Sequence, residues 1–161
     1  MEPRTIAIIQ ARMSSSRLPG KVLLDIAGEP MLARVVERAQ RAKFVDKVIV
    51  ATTTDPSDDP VGEFCTEHGY DFTRGSLHDV LDRYYQSARQ FDADVIVRLT
   101  ADCPVLDPEV VDQTIAVIAN PEGVKQSLSY HCLFWDCFVV LRPPRNDRNG
   151  SRSRTLTLWM T

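Results

Sequence analysis

Apolar residues recur along this chain in two rhythms that take turns. Unbroken apolar runs at Thr5–Gln10 (TIAIIQ), Lys47–Thr52 (KVIVAT) and Asp94–Leu99 (DVIVRL) read as strands buried on both faces. Tyr70–Thr73 reads as a shorter strand. Between them the spacing becomes helical. Glu29–Lys43 carries Met31, Leu32, Val35, Val36, Ala39 and Ala42 on one face, with Pro30 in the first turn where its missing N–H is harmless. A turn at Asp55–Pro60 precedes a helix with Val61, Phe64, Cys65 and His68 on one side and Gly69 as its C-terminal stop. Ser76 followed by Asp79 has the form of a capping box, and the next helix strings Val80, Leu81, Tyr84, Tyr85, Ala88 and Phe91 on one stripe. Asp107-Pro108-Glu109 opens a last helix whose inner face is Val111, Thr114, Ile115 and Ile118.

Strands alternating with helices of this length predict a three-layer α/β/α, Rossmann-like fold with a mainly parallel sheet. No internal repeat is visible. Ligands of such sheets gather at the carboxyl ends of the strands. Two segments with unusual chemistry stand at those ends: the polar stretch Ala11–Asp25 after the first strand, and the turn after Leu99.

The first segment reads QARMSSSRLPGK over residues 10–21. Arg12, Arg17 and Lys21 supply positive charge, three serines supply hydroxyl donors, and Pro19-Gly20 supplies a turn. Such a loop suits a polyphosphate, because cations and loop donors together satisfy phosphate oxygens. Taken alone, a Ser/Arg loop reads more readily as a solvated basic surface; its position after a buried strand shifts the balance toward a ligand site. It is not a Walker A loop, since Ser15 stands where the first Gly belongs and Val22 follows Lys21. The dinucleotide pattern GxGxxG is also missing.

These residues carry a family resemblance. IIQARMSSSRLPGKVL resembles the signature loop of the cytidylyltransferases that make CMP-activated acidic sugars, and the chain looks most like the spore-coat polysaccharide type, related to the CMP-Kdo and acylneuraminate synthetases. The likeness continues in order through VIVATTTDPSDDP, RGSLHDVLDRYY and DADVIVRLTADCPVLDPEVVD, from residue 4 to about residue 119. It implies a nucleotidyltransferase fold of the GT-A-like kind. It also implies a reaction in which a hydroxyl of an acidic sugar attacks the α-phosphorus of CTP and pyrophosphate leaves, serving cell-surface or spore-coat polysaccharide synthesis.

The same resemblance assigns residues. Arg12 and Lys21 would hold the β- and γ-phosphates and act on the leaving pyrophosphate. Ala11, Met13, Ser14 and Ser15 would complete the nucleotide cradle with loop amides. Arg74-Gly75 corresponds to the segment that meets base and ribose. Asp102 would be the Mg²⁺ ligand, with Ala101 in place of a usual glycine, which would strain the turn if that position needed a positive φ. Asp79 and Arg83 read as an i,i+4 pair, Tyr84-Tyr85 as core, and the three histidines carry no pattern. A metal-dependent glycosyltransferase is a competing reading, but Asp102-Cys103-Pro104 lacks the second acid of a DxD motif.

Composition sharpens the picture in one place. The 161 residues suit one domain, and 43% hydrophobic with 25% charged content is ordinary for a globular protein. No apolar run approaches a membrane span of ~20 residues, and Ile6–Ile9 is too short for a signal peptide, so a cytoplasmic protein is expected. The four cysteines lack zinc-site spacing and read as buried or unreactive thiols. Charge, however, is uneven: residues 1–124 hold 13 Lys and Arg against 20 Asp and Glu, a net −7, whereas residues 125–161 hold 6 against 2, a net +4. A nucleotide-binding domain is therefore expected over 1–124 and a divergent basic tail, partly disordered, over 125–161, with one strand or hydrophobic helix at His131–Leu141. The family's sugar contacts, second metal-binding aspartate and dimerising arm are not recognisable in that tail, which suggests a truncated or frameshifted reading frame, with a real, divergent ending as the alternative. The expected partners are CTP and an acidic sugar, with homodimerisation implied only by the family. Nucleic acid and membrane are not expected, one short basic patch on an acidic chain being weak support for the former. The alternative to an active enzyme is a nucleotide-binding remnant with impaired catalysis.

Overall fold

The computed structural model of the chain describes residues 3–119, 138–142 and 157–158. Strand β1 (Thr5–Gln10) leads through the polar loop and a single 3₁₀ turn (Lys21–Leu23) to a hairpin, β2 (Asp25–Ile26) and β3 (Glu29–Pro30), then helix α1 (Met31–Gln40). β4 (Lys47–Thr53), α2 (Asp59–Glu67), β5 (Phe72–Gly75), α3 (Val80–Gln90), β6 (Val95–Thr100) and α4 (Pro108–Ala119) follow. β7 (Phe138–Arg142) and β8 (Thr157–Leu158) complete the main sheet. Its order is β5-β4-β1-β6-β7-β8; the first four strands run parallel, β7 lies antiparallel on β6, and β8 antiparallel on β7.

Alternation along the strands divides the core into two layers. Ala7 and Ile9 of β1, Val50 of β4, and Val97 and Leu99 of β6 pack with Leu32, Val35 and Val36 of α1, Val61 and Cys65 of α2, and Val111 and Ile115 of α4. Ile6, Ile8, Ile49, Ala51 and Ile96 point the other way, onto Tyr84 and Ala88 of α3. Each of the fully buried Ile and Leu side chains contributes about 1.5–3 kcal/mol. The expected mainly parallel α/β/α fold is thus the observed one.

The chain winds outward from β1 to β4 to β5, then α3 carries it back to β6 on the opposite flank of β1. That reversal opens a crevice between the carboxyl ends of β1 and β6, where open α/β sheets take their ligands. Gln10 and Thr100 are register partners there, and the Ala101 amide donates to the Gln10 carbonyl at 3.0 Å.

Several expectations need correction. Glu29 and Pro30, expected in the first helix, belong to the hairpin, whose turn residues Ala27 (φ +54°) and Gly28 (φ +89°) are both left-handed. Arg34 of α1 donates to the Ile26 and Ala27 carbonyls and pins that hairpin down. Ser76 is not half of a capping box: its hydroxyl accepts from the His78 and Asp79 amides, while Asp79 caps α3 by accepting from Asp82 N at 2.8 Å. The buried face of α3 carries Arg83 and Ser87 beside Tyr84 and Ala88, and Leu81 is 53% exposed. Within the expected tail, 138–142 form a strand; the expected boundary at 124 and most of 125–161 lie outside the described residues. Among the described residues, no helix is long and apolar enough to cross a membrane.

Candidate functional site

The loop after β1 is folded on itself rather than open. The Met13 carbonyl accepts from the amides of both Ser15 and Gly20 at 2.9 Å, which draws the Pro19-Gly20 turn against the start of the loop. Gly20 has φ +73°, a backbone state that side-chain-bearing residues avoid, and a Cβ there would meet the Met13 Cε at 3.4 Å. The Gly20 carbonyl then starts the 3₁₀ turn by accepting from Leu23. A fully buried carboxylate anchors the arrangement: Asp58 accepts from the Met13 amide at 2.6 Å and from the Thr53 hydroxyl. Asp58 occupies the N-cap position of α2, yet its side chain makes no cap and serves the loop instead.

Folded this way, the loop and the strand ends enclose a cleft of about 290 Å³. The loop contributes Arg12, Ser15, Arg17 and Lys21; the sheet contributes Gln10, Arg98, Thr100 and Asp102. Lys21 Nζ lies 2.5 Å from Asp102 Oδ2. Burial pushes the Asp102 carboxyl up, but hydrogen bonds from Lys21 and Thr100 and the Lys21 charge outweigh it, so the group sits below the usual carboxylate range and is ionised near neutrality. The cleft is therefore a pocket of three loop cations and hydroxyls with one anion at its rim.

Of the residues singled out from sequence, Arg12, Ser15, Lys21 and Asp102 converge on this cleft. Ala11 is buried below it and donates its amide to Ala51. Met13 is half-buried against the core, and Ser14 is exposed beside it; neither lines the cleft. The expectation of free amides needs correction for two positions, since the Met13 amide is taken by Asp58 and the Ser15 amide by Met13. Arg74 and Gly75 are likewise not brought to the cleft. Arg74 donates to the Thr53 and Asp55 carbonyls and pairs with Asp59 at 2.5 Å, committing its guanidinium to the β4–α2 connection. Ala101 avoids the left-handed region and is buried, so the turn is unstrained by its Cβ. Cys65 is a buried free thiol, as expected; Cys103 in the turn after β6 is disulfide-bonded, which corrects the expectation of thiols throughout.

Three buried or half-buried polar residues escape the sequence pattern. Asp58 is one of three acids in DPSDDP, and nothing local distinguishes it. Arg98 had a signal, a charge inside the apolar run DVIVRL. Arg83 was paired with Asp79, but its Nη1 donates to the Ser76 carbonyl at 2.9 Å, and its Nε and Nη2 are buried without partners. Burial above all, with Arg12's like charge adding to it, lowers the Arg83 pKa.

A sequence model described as cytidylyltransferase matches residues 6–130. Among curated relatives, the spore coat polysaccharide biosynthesis protein SpsF of Bacillus subtilis is 39% identical over 112 residues, which is 67% of this chain and 47% of SpsF. Among solved structures, a cytidylyltransferase from Leptospira borgpetersenii serovar Hardjo-bovis superposes with TM-score 0.69 at 36% identity, covering 74% of this chain and 51% of that one. A CMP:2-keto-3-deoxy-manno-octonic acid synthetase complexed with CTP superposes with TM-score 0.65 at 31% identity, covering 74% and 48%. The chain thus spans about half the length of the curated relatives it matches.

Proposed function

This chain belongs to the cytidylyltransferase family, and from that premise we propose that its cleft binds CTP and supports transfer of CMP to an acidic sugar for polysaccharide synthesis. The observation that carries the reading is the meeting of the loop cations Arg12 and Lys21 with Asp102 in one cleft at the switch point of the sheet. A triphosphate offers oxygens to Arg12, Arg17, Lys21 and the serine hydroxyls, each a charge-assisted or hydroxyl donor. In the reaction, the acceptor's hydroxyl oxygen bonds to the α-phosphorus, the bond from that phosphorus to the β-bridging oxygen breaks, pyrophosphate departs and the hydroxyl proton is released. Arg12 and Lys21 would steady the charge that grows on the pyrophosphate, and holding both reactants in line supplies most of the remaining acceleration.

The family resemblance also implies Mg²⁺. Among the described residues no group of three His, Cys, Asp or Glu converges, so those residues form no all-protein cage. A single ionised carboxylate at the rim of a cation-lined cleft suits Mg²⁺, which takes most of its oxygens from phosphates and water. Asp102 would hold the ion. Its chemistry when bound is charge neutralisation at the α-phosphate.

Calorimetry of the chain with CTP and Mg²⁺, beside a pyrophosphate-release assay with an acidic sugar, tests this reading. Saturable CTP binding with acid-dependent pyrophosphate release supports it in full. Binding without release restricts the chain to nucleotide binding, and absence of binding removes the proposal.

A further inference from the structure

The cleft has a second cationic pole that the loop does not provide. Arg98 sits on β6 in register with Ile8 of β1, two residues before Thr100. Alternation puts Arg98 and Thr100 on the α3 side of the sheet, since Val97 and Leu99 belong to the opposite core. Arg98 is therefore a charge set beside Ile96 on a largely apolar sheet face, which is costly unless something compensates it.

The described residues do not supply that compensation. Arg98 forms no ion pair with any described carboxylate, and its Nε is buried without an acceptor. Its described neighbour is Tyr84, whose ring lies 5.7 Å from the guanidinium carbon and whose hydroxyl interacts with it. Tyr84 is itself 3% exposed and fixed in the core. Arg98 is thus held in place from the side while it lines an open cleft. A guanidinium so presented matches a carboxylate in two-pronged fashion.

Position separates Arg98 from the triphosphate. The loop cations follow Gln10, beyond the strand ends, whereas Arg98 lies two residues back from Thr100, roughly 7 Å at the rise of a strand. We infer that Arg98 is the specificity residue for the acceptor, receiving the carboxylate of an acidic sugar on the floor of the cleft while the loop holds CTP. This rests on the cytidylyl-transfer reading above and adds to it the residue that selects an acid over a neutral sugar.

The test uses the full chain with a non-hydrolysable CTP analogue and Mg²⁺. 3-Deoxy-manno-octulosonate and N-acetylneuraminate, each beside its C1 amide, are titrated into that complex. For the wild-type chain, one acid binds at least about tenfold more tightly than its amide, as a charge-assisted bidentate contact provides. Arg98→Met removes that preference and leaves affinity for the CTP analogue within about twofold, which also reports an intact fold; Arg98→Lys keeps part of the preference. Three results overturn the inference while leaving the CTP reading standing: a wild type that binds nucleotide but neither acid, a wild type that does not distinguish acid from amide, or an Arg98→Met variant that still does. Loss of CTP-analogue affinity in Arg98→Lys and Arg98→Met alike assigns Arg98 to the triphosphate and overturns it too. A wild type that fails to bind the nucleotide at all removes the underlying reading, and the inference with it.

Discussion

Lys21 and Asp102, 81 residues apart in sequence, form a 2.5 Å ion pair that ties the loop after β1 to the turn after β6. With side chains 24% and 41% exposed, such a pair contributes only about 0–1 kcal/mol. Its weakness is what makes it useful. A phosphate oxygen can replace the carboxylate on Lys21, and a divalent cation can replace the ammonium on Asp102. Each new contact is a charge-assisted one, in a cleft that already holds Arg12 and Arg17. On the proposed reading, the pair holds both groups in place until that exchange.

Lys21→Ala and Asp102→Asn should therefore separate function from stability. Both variants are expected to unfold within about 1 kcal/mol of the wild type. Lys21→Ala should lower CTP affinity about 10- to 100-fold, the worth of one lost charge-assisted hydrogen bond. Asp102→Asn should abolish the dependence of CTP affinity on Mg²⁺. Titration calorimetry with and without Mg²⁺ reads both effects; unchanged affinities would falsify the assignment of this pair to the nucleotide site.

Asp58 should behave in the opposite way, as a residue that acts on the loop from outside the cleft. Asp58→Ala strips the acceptor from the Met13 amide and the Thr53 hydroxyl, leaving polar groups unsatisfied near the core. A loss of about 1–3 kcal/mol in unfolding free energy is expected, with weakened CTP binding because the loop loses its anchor. Asp58→Asn, which retains one carbonyl acceptor, should recover much of both. Denaturant unfolding followed by calorimetry on the two variants checks the order.

Much of this was legible beforehand. The apolar runs gave β1, β4 and β6 to within a residue or two, because strands buried on both faces leave an unbroken signature. The loop cations and Asp102 were legible because they follow such strands. What escaped is polar and buried. Arg83 and Ser87 interrupt the apolar stripe of α3, so hydrophobic spacing put Leu81 inside and Arg83 outside, the reverse of what is seen. Asp58 earns its burial from partners 45 and 5 residues away, which local pattern cannot reveal. Arg74 points to Asp59 for a similarly tertiary reason.

The β2–β3 hairpin carries removable strain. Ala27 is held at φ +54°, where a Cβ is disfavoured, while the two-residue turn asks for residues that tolerate this state. Ala27 is exposed, so a change there disturbs no core packing. Ala27→Asn is expected to stabilise the chain by about 1 kcal/mol, seen as a higher denaturant midpoint with an unchanged slope. A lower midpoint would show that the turn does not favour Asn.

Cys65 should make stability fall in alkali. It is fully buried among apolar side chains of the α1, α2 and α4 layer, and burial pushes its thiol up to about 12. The unfolded chain loses the same proton near pH 8.5. The folded chain thus holds the proton more tightly, so this contribution is complete below the unfolded value and is lost progressively as pH rises from there toward 12. Cys65→Ala removes the titration and costs a nearly constant packing term. The gap in unfolding free energy between wild type and Cys65→Ala is therefore expected to narrow between about pH 8 and pH 11. In the same range below pH 9, iodoacetamide should label Cys65 only after unfolding, as read by peptide mass spectrometry. Rapid labelling of the native chain at pH 8, or a gap that does not move with pH, would mean that the thiol is not sealed in the core.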